Sequence, residues 1–381
     1  MIKKHFTIKE ILSDHWDDFL ALGYNLRPAI IKNVEKVIHC GDPSLGHAVY
    51  FCSECGKMKY VPFRCKSRFC NTCGATYVAQ RAENISSKLI NCNHRHLVFT
   101  IPAELRSFFQ RDRSLLHILF QASSQTLLTW FHNINKSEYF TPGFISTLHT
   151  YGRDLKWNPH IHLILTEGAS GNQTVWRHIK HIPFTMLRRR WQATLLSLLH
   201  QKLGAQFYAL KSKLFYYYKD GFYVYAKKEK QTIVKDSIDY IVRYTGKPPM
   251  AQSRILDYDG NFVTFYYERH EDGKRVTEKL SAIDFIKRLI VHIPDEQFKM
   301  VRYYGLYAKK HKNAPKLFLL VSKQKKKFWK QLSNWRNRLL LAFDIDPLRC
   351  SCGNTMELLD IFIPKKSSLL DYRSPPPYNI S

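Results

Sequence analysis

The chain has 381 residues, 45% of them apolar, and carries 59 Lys+Arg against 31 Asp+Glu for a formal net charge of +28. That length suits two or three domains with a sizeable core. The cationic excess is larger than a solvated surface requires and points to a polyanion, whose phosphates would supply sequence-independent affinity. No apolar run approaches the ~20 residues of a spanning helix. Residues 1–20 hold Asp14, Asp17 and Asp18 and lack a secretory core, so a cytoplasmic protein without a membrane partner is expected.

In chain order, residues 7–39 read as helical, through the apolar pattern Ile8, Ile11, Leu12, Trp16, Phe19 and Leu20. Residues 40–74 are cysteine-rich and without period, and a helix is expected over about 76–90. His96–Ile101 reads as a buried strand ended by Pro102, with helical patterning over about 105–134. Two strands, Phe144–Tyr151 and His160–Thr166, flank a polar turn with Gly152 and Pro159. A basic helix is expected at 184–203, a hairpin at 214–226 around Asp220-Gly221, and a short helix at 236–245. Asp259-Gly260 marks another hairpin, followed by helices near 281–291 and 322–342 and a loose tail from Lys365.

Nine cysteines are present, seven of them between 40 and 92. An odd number, clustered, suits metal binding in a reducing compartment better than a disulfide scaffold. Cys52-Ser-Glu-Cys55 and Cys70-Asn-Thr-Cys73 are two C-x2-C pairs, each able to form a knuckle offering two thiolates. Together they are expected to close one structural zinc site. Cys65, Cys40 and His47 lie near enough in sequence to replace a ligand or to serve a second ion. Cys350-Ser-Cys352 cannot fill a site alone and reads as ordinary thiols.

His160-Ile-His162 opens the run His-Ile-His-Leu-Ile-Leu. In a strand both histidines share one face, with Ile161, Leu163 and Leu165 on the other, so two imidazoles can share a divalent ion. His94-Arg-His96 has the same spacing but a charged middle residue. His149 would join the site if the two strands form a hairpin in which Tyr151 faces His160 and His149 faces His162. Surface histidines remain the alternative. Tyr240 and Tyr244 lie one turn apart on the 236–245 helix, opposite the apolar stripe Ile238, Ile241, Val242 and Thr245. Tyr303 and Tyr307 repeat the spacing but are interrupted by Gly305. Either pair could instead stack on bases.

These blocks, in this order across about residues 40–360, resemble the two-tyrosine rolling-circle transposases of bacterial insertion sequences, in the HUH (histidine–hydrophobic–histidine) nuclease superfamily. The cysteine block looks like that family's N-terminal zinc-binding domain, and His96-Leu-Val-Phe-Thr-Ile-Pro102 like its first strand motif. Leu148–Leu155 with Asn158-Pro-His-Ile-His162 looks like its metal motif, Tyr240-Ile-Val-Arg-Tyr244 like its nucleophile helix, and Val301–Tyr307 like a further block. One departure is that Asp346-Pro-Leu348 leads to a C-x-C where the family often has C-x2-C.

The resemblance implies an α+β fold: an antiparallel-sheet HUH endonuclease core with flanking helices, after a helical and zinc-knuckle N-terminal domain. The expected segments are 1–92, a nuclease domain over 93–310, and a basic helical region with a tail over 311–381. It implies Mg²⁺ or Mn²⁺ on the histidines, structural Zn²⁺ on the cysteines, and nicking through a 5′-phosphotyrosine on Tyr240 or Tyr244. The partner would be DNA: single-stranded ends of its own element and a target site, met at the bacterial nucleoid. Rolling-circle replication initiators share this chemistry. A tyrosine recombinase would instead use a 3′-phosphotyrosine and an Arg/His pocket without metal, and a non-catalytic zinc protein on nucleic acid would explain the charge and the cysteines but not the contexts of His160/His162 and Tyr240/Tyr244.

Overall fold

The computed structural model describes residues 6–74, 85, 89–135, 137–179, 181–226, 248–269, 271–308, isolated positions between 327 and 340, and 346–363. The chain divides into two compact units, one of residues 1–80, 246–295 and 330–381, the other of 81–245 and 296–329. This differs from the three consecutive segments 1–92, 93–310 and 311–381. Two contacts give the reason: a strand near the C-terminus hydrogen-bonds to one near residue 50, and the helix at 282–290 packs on the helix at 8–21.

The second unit is built on an antiparallel sheet. Its strands are β3 (His94–Phe99), β4 (Thr141–Tyr151), β5 (Trp157–Ser170), β6 (Arg177–His178), β7 (Val224–Ala226) and β11 (Val301–Gly305). The order is β11-β4-β5-β3-β7, with β6 beside β5. Alternation explains its two faces. Ile161, Leu163 and Leu165 of β5, Phe144 and Leu148 of β4, and Leu97 and Phe99 of β3 are buried together. They pack with α4 (Leu116–His132) and α5 (Phe184–Leu203), through residues such as Leu119, Leu127, Leu187 and Trp191. Short α3 (Ala103–Arg111) and α6 (Tyr208–Tyr217) complete this layer. The opposite face carries the histidines.

In the first unit, α1 (Ile8–Ala21) opens on a capping box: Thr7 Oγ1 accepts from the Glu10 N–H at 3.0 Å, and the Glu10 carboxylate accepts from the Thr7 N–H at 3.4 Å. Ile8, Ile11, Leu12, Trp16 and Phe19 are buried as expected, whereas Leu20 faces solvent. The helical stretch breaks at Gly23 (φ +70°) and resumes as α2 (Pro28–Ile38), with proline preorganising its first turn. A second sheet joins β1 (His47–Phe51), β2 (Met58–Pro62) and β12 (Glu357–Phe362) in the order β12-β1-β2. A third is β8 (Ile255–Tyr258), β9 (Phe262–Glu268) and β10 (Arg275–Ser281), the first pair closed by the expected Asp259-Gly260 turn. α7 (Ala282–Ile290), capped by Ser281, packs against α1 and this sheet.

The expected hairpin over 214–226 is instead a helix, a turn and a short strand. Leu210 and Leu214 lie one helical turn apart against the core, so the tyrosine run continues α6. Gly221 (φ +82°) then turns the chain where a Cβ would strike the Arg188 backbone. The expected 236–245 helix, the tail from Lys365, and most of the 76–90 and 322–342 helices lie outside the described residues. Among the described residues, no helix is long and apolar enough to cross a membrane.

Candidate metal and nuclease centre

β4 and β5 pair with His149 opposite His160 and Thr147 opposite His162. The expected register, with His149 opposite His162, is thus displaced by two residues. A two-residue shift keeps every side chain on its face, so all three histidines still share one surface. An irregularity between His149 and Tyr151 shifts the pairing by one further residue and leaves Tyr151 opposite Trp157. The connecting turn is tightly bonded: Gly152 N–H donates to Lys156 O at 2.9 Å and Leu155 N–H to Gly152 O at 3.1 Å. Leu155 sits at φ +62°, held by complete burial of its side chain.

A ligand nitrogen from each of His149, His160 and His162 falls within 4.8 Å of the others. His160 Nε2 and His162 Nε2 are 3.0 Å apart. Two imidazole lone pairs that close repel each other unless a proton or cation lies between them. Adjacent ligands of an octahedral Mg²⁺, at 2.0–2.1 Å from the metal, are about 3.0 Å apart. The remaining nitrogens are tied back. With its proton on Nδ1, His160 donates to the Asn158 carbonyl at 2.7 Å, which leaves Nε2 as a lone-pair donor. His162 Nδ1 lies 2.9 Å from His96 Nε2, and the two rings are parallel with centroids 5.1 Å apart. Fixing one ring nitrogen sets the tautomer and aim of the other.

Burial dominates the titration of both histidines. It lowers the His160 pKa to about 4, with the Arg106 charge acting in the same direction against the Asn158 hydrogen bond. Burial also holds His162 well below its ordinary value, helped by His149, His160 and His96. At neutral pH both are neutral imidazoles, the protonation state a metal requires.

His96 was passed over in sequence because Arg95 obscured its strand faces. Arg95 is satisfied by Glu167 at 2.5 Å, and β3 runs beside β5 with Val98 opposite His162. A charged residue with its own partner across the sheet would have been the signal.

The rival tyrosine pair does not form one helical stripe. Tyr303 lies in β11, while Tyr307 follows in a turn after Gly305. The Tyr307 hydroxyl is 2.7 Å from His94 Nε2 and 3.3 Å from the Ile90 N–H, and burial raises its pKa well above the ordinary value. A Cβ on Gly143 would meet its ring. Tyr307 is packed as a core residue. Tyr240 and Tyr244 lie outside the described residues.

The cysteines gather differently from the expected site on Cys52, Cys55, Cys70 and Cys73. Cys70 and Cys73 join Cys40 and Cys65, while Cys52 and Cys55 join Cys350 and Cys352, each set with its sulfurs within 4.8 Å. In the first set Cys40 Sγ lies 3.5 Å from Cys73 Sγ, and the Cys65–Cys73 and Cys70–Cys40 sulfur pairs are each 3.6 Å apart. The physical reason is the strand between the knuckles: β1 and β2 direct Cys52 and Cys55 toward the C-terminal turn, and the end of α2 brings Cys40 to Cys70. His47 joins neither set; it pairs within the sheet and its ring lies beside Phe362 and Tyr60.

The chain thus combines a histidine-bearing antiparallel sheet with a cysteine-rich N-terminal region. Residues 11–101 match the family described as "Transposase zinc-binding domain", and residues 143–315 the family described as "Putative transposase". The chain is 31% identical over 324 residues to the transposase for insertion sequence element IS801 of Pseudomonas savastanoi pv. phaseolicola, covering 81% of this chain and 76% of that protein. It is 27% identical over 325 residues to the "Putative transposase y4qJ" of Sinorhizobium fredii, covering 80% and 81%. No solved structure is a significant match. The chain belongs to the insertion-sequence transposase family that includes the IS801 transposase.

Proposed function

We propose that this transposase moves its element by rolling-circle transposition, nicking and rejoining single DNA strands through a 5′-phosphotyrosine. The observation that carries the reading is the cluster of His149, His160 and His162 on one face of an antiparallel sheet, in a chain of this family. Neutral imidazoles fit Mg²⁺ or Mn²⁺, which when bound would polarise the scissile phosphate. His149, His160 and His162 would hold that ion, and Asn158 and His96 would keep two of the rings aimed.

Tyr240 or Tyr244 would supply the nucleophile. Its hydroxyl oxygen forms a bond to phosphorus, the bond from phosphorus to the 3′ oxygen breaks, and that oxygen leaves as a 3′-OH with the proton. No water is consumed, so the phosphodiester is retained for rejoining. A second tyrosine permits a second cleavage while the first strand end remains attached.

A single-stranded partner is further supported by α6. Tyr208, Tyr216 and Tyr217 are 64%, 69% and 62% exposed, among Lys211, Lys213 and Lys219. Exposed rings with interleaved lysines suit stacked bases and a phosphate backbone.

The test is incubation of the protein with single-stranded DNA from the element's own ends, with and without Mn²⁺, followed by peptide mapping of any covalent adduct. A metal-dependent 5′-linked adduct on Tyr240 or Tyr244 is expected. A 3′-linked adduct formed in EDTA would replace this reading with a tyrosine recombinase.

A further inference from the structure

Cys350-Ser-Cys352 was expected to be a pair of ordinary thiols, but its sulfurs sit beside the first knuckle. Cys55 Sγ lies 3.5 Å from Cys350 Sγ, and Cys52 Sγ lies 3.6 Å from Cys352 Sγ. None of these cysteines is disulfide-bonded, and the spacing is far beyond the ~2.05 Å of an S–S bond. It is close to the edge of a zinc–thiolate tetrahedron, about 3.8 Å for a metal–sulfur distance near 2.3 Å.

The two turns have related construction. On the N-terminal side, Gly56 N–H donates to Cys52 O at 2.9 Å and Cys52 N–H to Lys57 O at 3.0 Å. On the C-terminal side, Gly353 N–H donates to Cys350 O at 3.0 Å and Cys350 N–H to Asn354 O at 2.8 Å. Each turn places a positive-φ glycine, Gly56 (+68°) or Gly353 (+93°), directly after its second cysteine. The C-x-C is therefore a shortened knuckle, with Cys350 Sγ beside Cys55 Sγ and Cys352 Sγ beside Cys52 Sγ.

Around this corner, Lys57 Nζ donates to Ser351 Oγ at 3.2 Å and Lys59 Nζ to the Pro347 carbonyl at 3.0 Å. Among the described residues its buried cluster is Cys52, Cys350 and Met356, with Tyr50 packed against it. β12 pairs with β1, yet Leu358, Leu359 and Ile361 are 52%, 61% and 49% exposed. A local core this small suits a metal staple.

We propose that Cys52, Cys55, Cys350 and Cys352 form a second structural zinc site, separate from that of Cys40, Cys65, Cys70 and Cys73, and that its ion fastens the C-terminal strand to the N-terminal sheet. The second ion's ligands come from distant parts of the chain, Cys52 and Cys352 being 300 residues apart and Cys55 and Cys350 295. Its presence does not depend on the nuclease chemistry.

The test is zinc content of the intact, full-length protein by native mass spectrometry. Two zinc ions per chain are expected, falling to one in the Cys350→Ser/Cys352→Ser double variant. Cobalt substitution provides a second readout: thiolate-to-cobalt absorption should fall by about half in that variant. Limited proteolysis should then release the C-terminal segment sooner, with the Cys40 cluster still metal-loaded. One zinc in the unmodified protein, or unchanged zinc in the double variant, overturns the proposal. If the double variant misfolds, the unmodified protein's zinc count and cobalt absorption still decide the matter.

Discussion

The cysteine region and the histidine region invert each other's logic. The cysteine ligands come as short-range pairs whose chemistry is plain in sequence, but tertiary structure decides which pairs meet. The histidines have an ambiguous spacing, yet one strand register brings them together. A knuckle is a local turn free to point either way. A strand residue is bound to its neighbours through a ladder, so an error of two residues leaves the face unchanged.

The sharpest way to break this comparison is to remove chemistry from one region and look for damage in the other. His160→Ala/His162→Ala should depress cleavage about 10³-fold or more, the scale of several kcal/mol of transition-state stabilisation. Zinc content and most DNA affinity should be unchanged. Normal nicking at the usual Mn²⁺ concentration would move the catalytic centre elsewhere.

In the cysteine region the loss should be of structure. Structural zinc contributes on the order of 10 kcal/mol to small modules, so Cys70→Ser should lose one zinc and expose the N-terminal unit to protease. If thermal unfolding and zinc content match the unmodified protein, the Cys40, Cys65, Cys70 and Cys73 cluster is not a metal site.

A smaller effect tests the tie between β3 and β5. His96→Ala should weaken Mn²⁺ binding about 10- to 100-fold, the usual cost of losing a ligand's hydrogen-bond partner. His96→Gln should recover part of it, because an amide can bond to His162 Nδ1. Calorimetric titration with Mn²⁺ is the readout. Equal losses in the two variants would reduce His96 to a packing role.

The mildest change is expected on α6. Tyr216→Ala/Tyr217→Ala should reduce affinity for single-stranded DNA by ~1–3 kcal/mol per base unstacked, with duplex affinity less affected. Fluorescence anisotropy on both forms, each across a salt series, separates stacking from phosphate attraction. Equal weakening on both forms would assign these tyrosines no stacking role.

Legibility varied with the range of the interactions involved. α5 was readable to its ends and α1 through its apolar stripe, because both are local patterns. α6 was misread because four consecutive aromatics carry no period, and Leu210 and Leu214 alone anchor it to the core. His160 and His162 were readable from alternation along β5. His96 required knowing that β3 lies beside β5, and Cys350 required knowing that β12 returns to β1.

The sequence by itself determined the polyanion-seeking charge, the metal-binding residue types and the faces of the central strands. Composition and short periodicities encode these directly. Only the tertiary structure decided which cysteines share a cluster, which register joins His149 to His160, and that β12 pairs with β1. Those outcomes depend on contacts between residues far apart in the chain, whose pairing is settled by burial and hydrogen bonding across the whole fold rather than by any local segment.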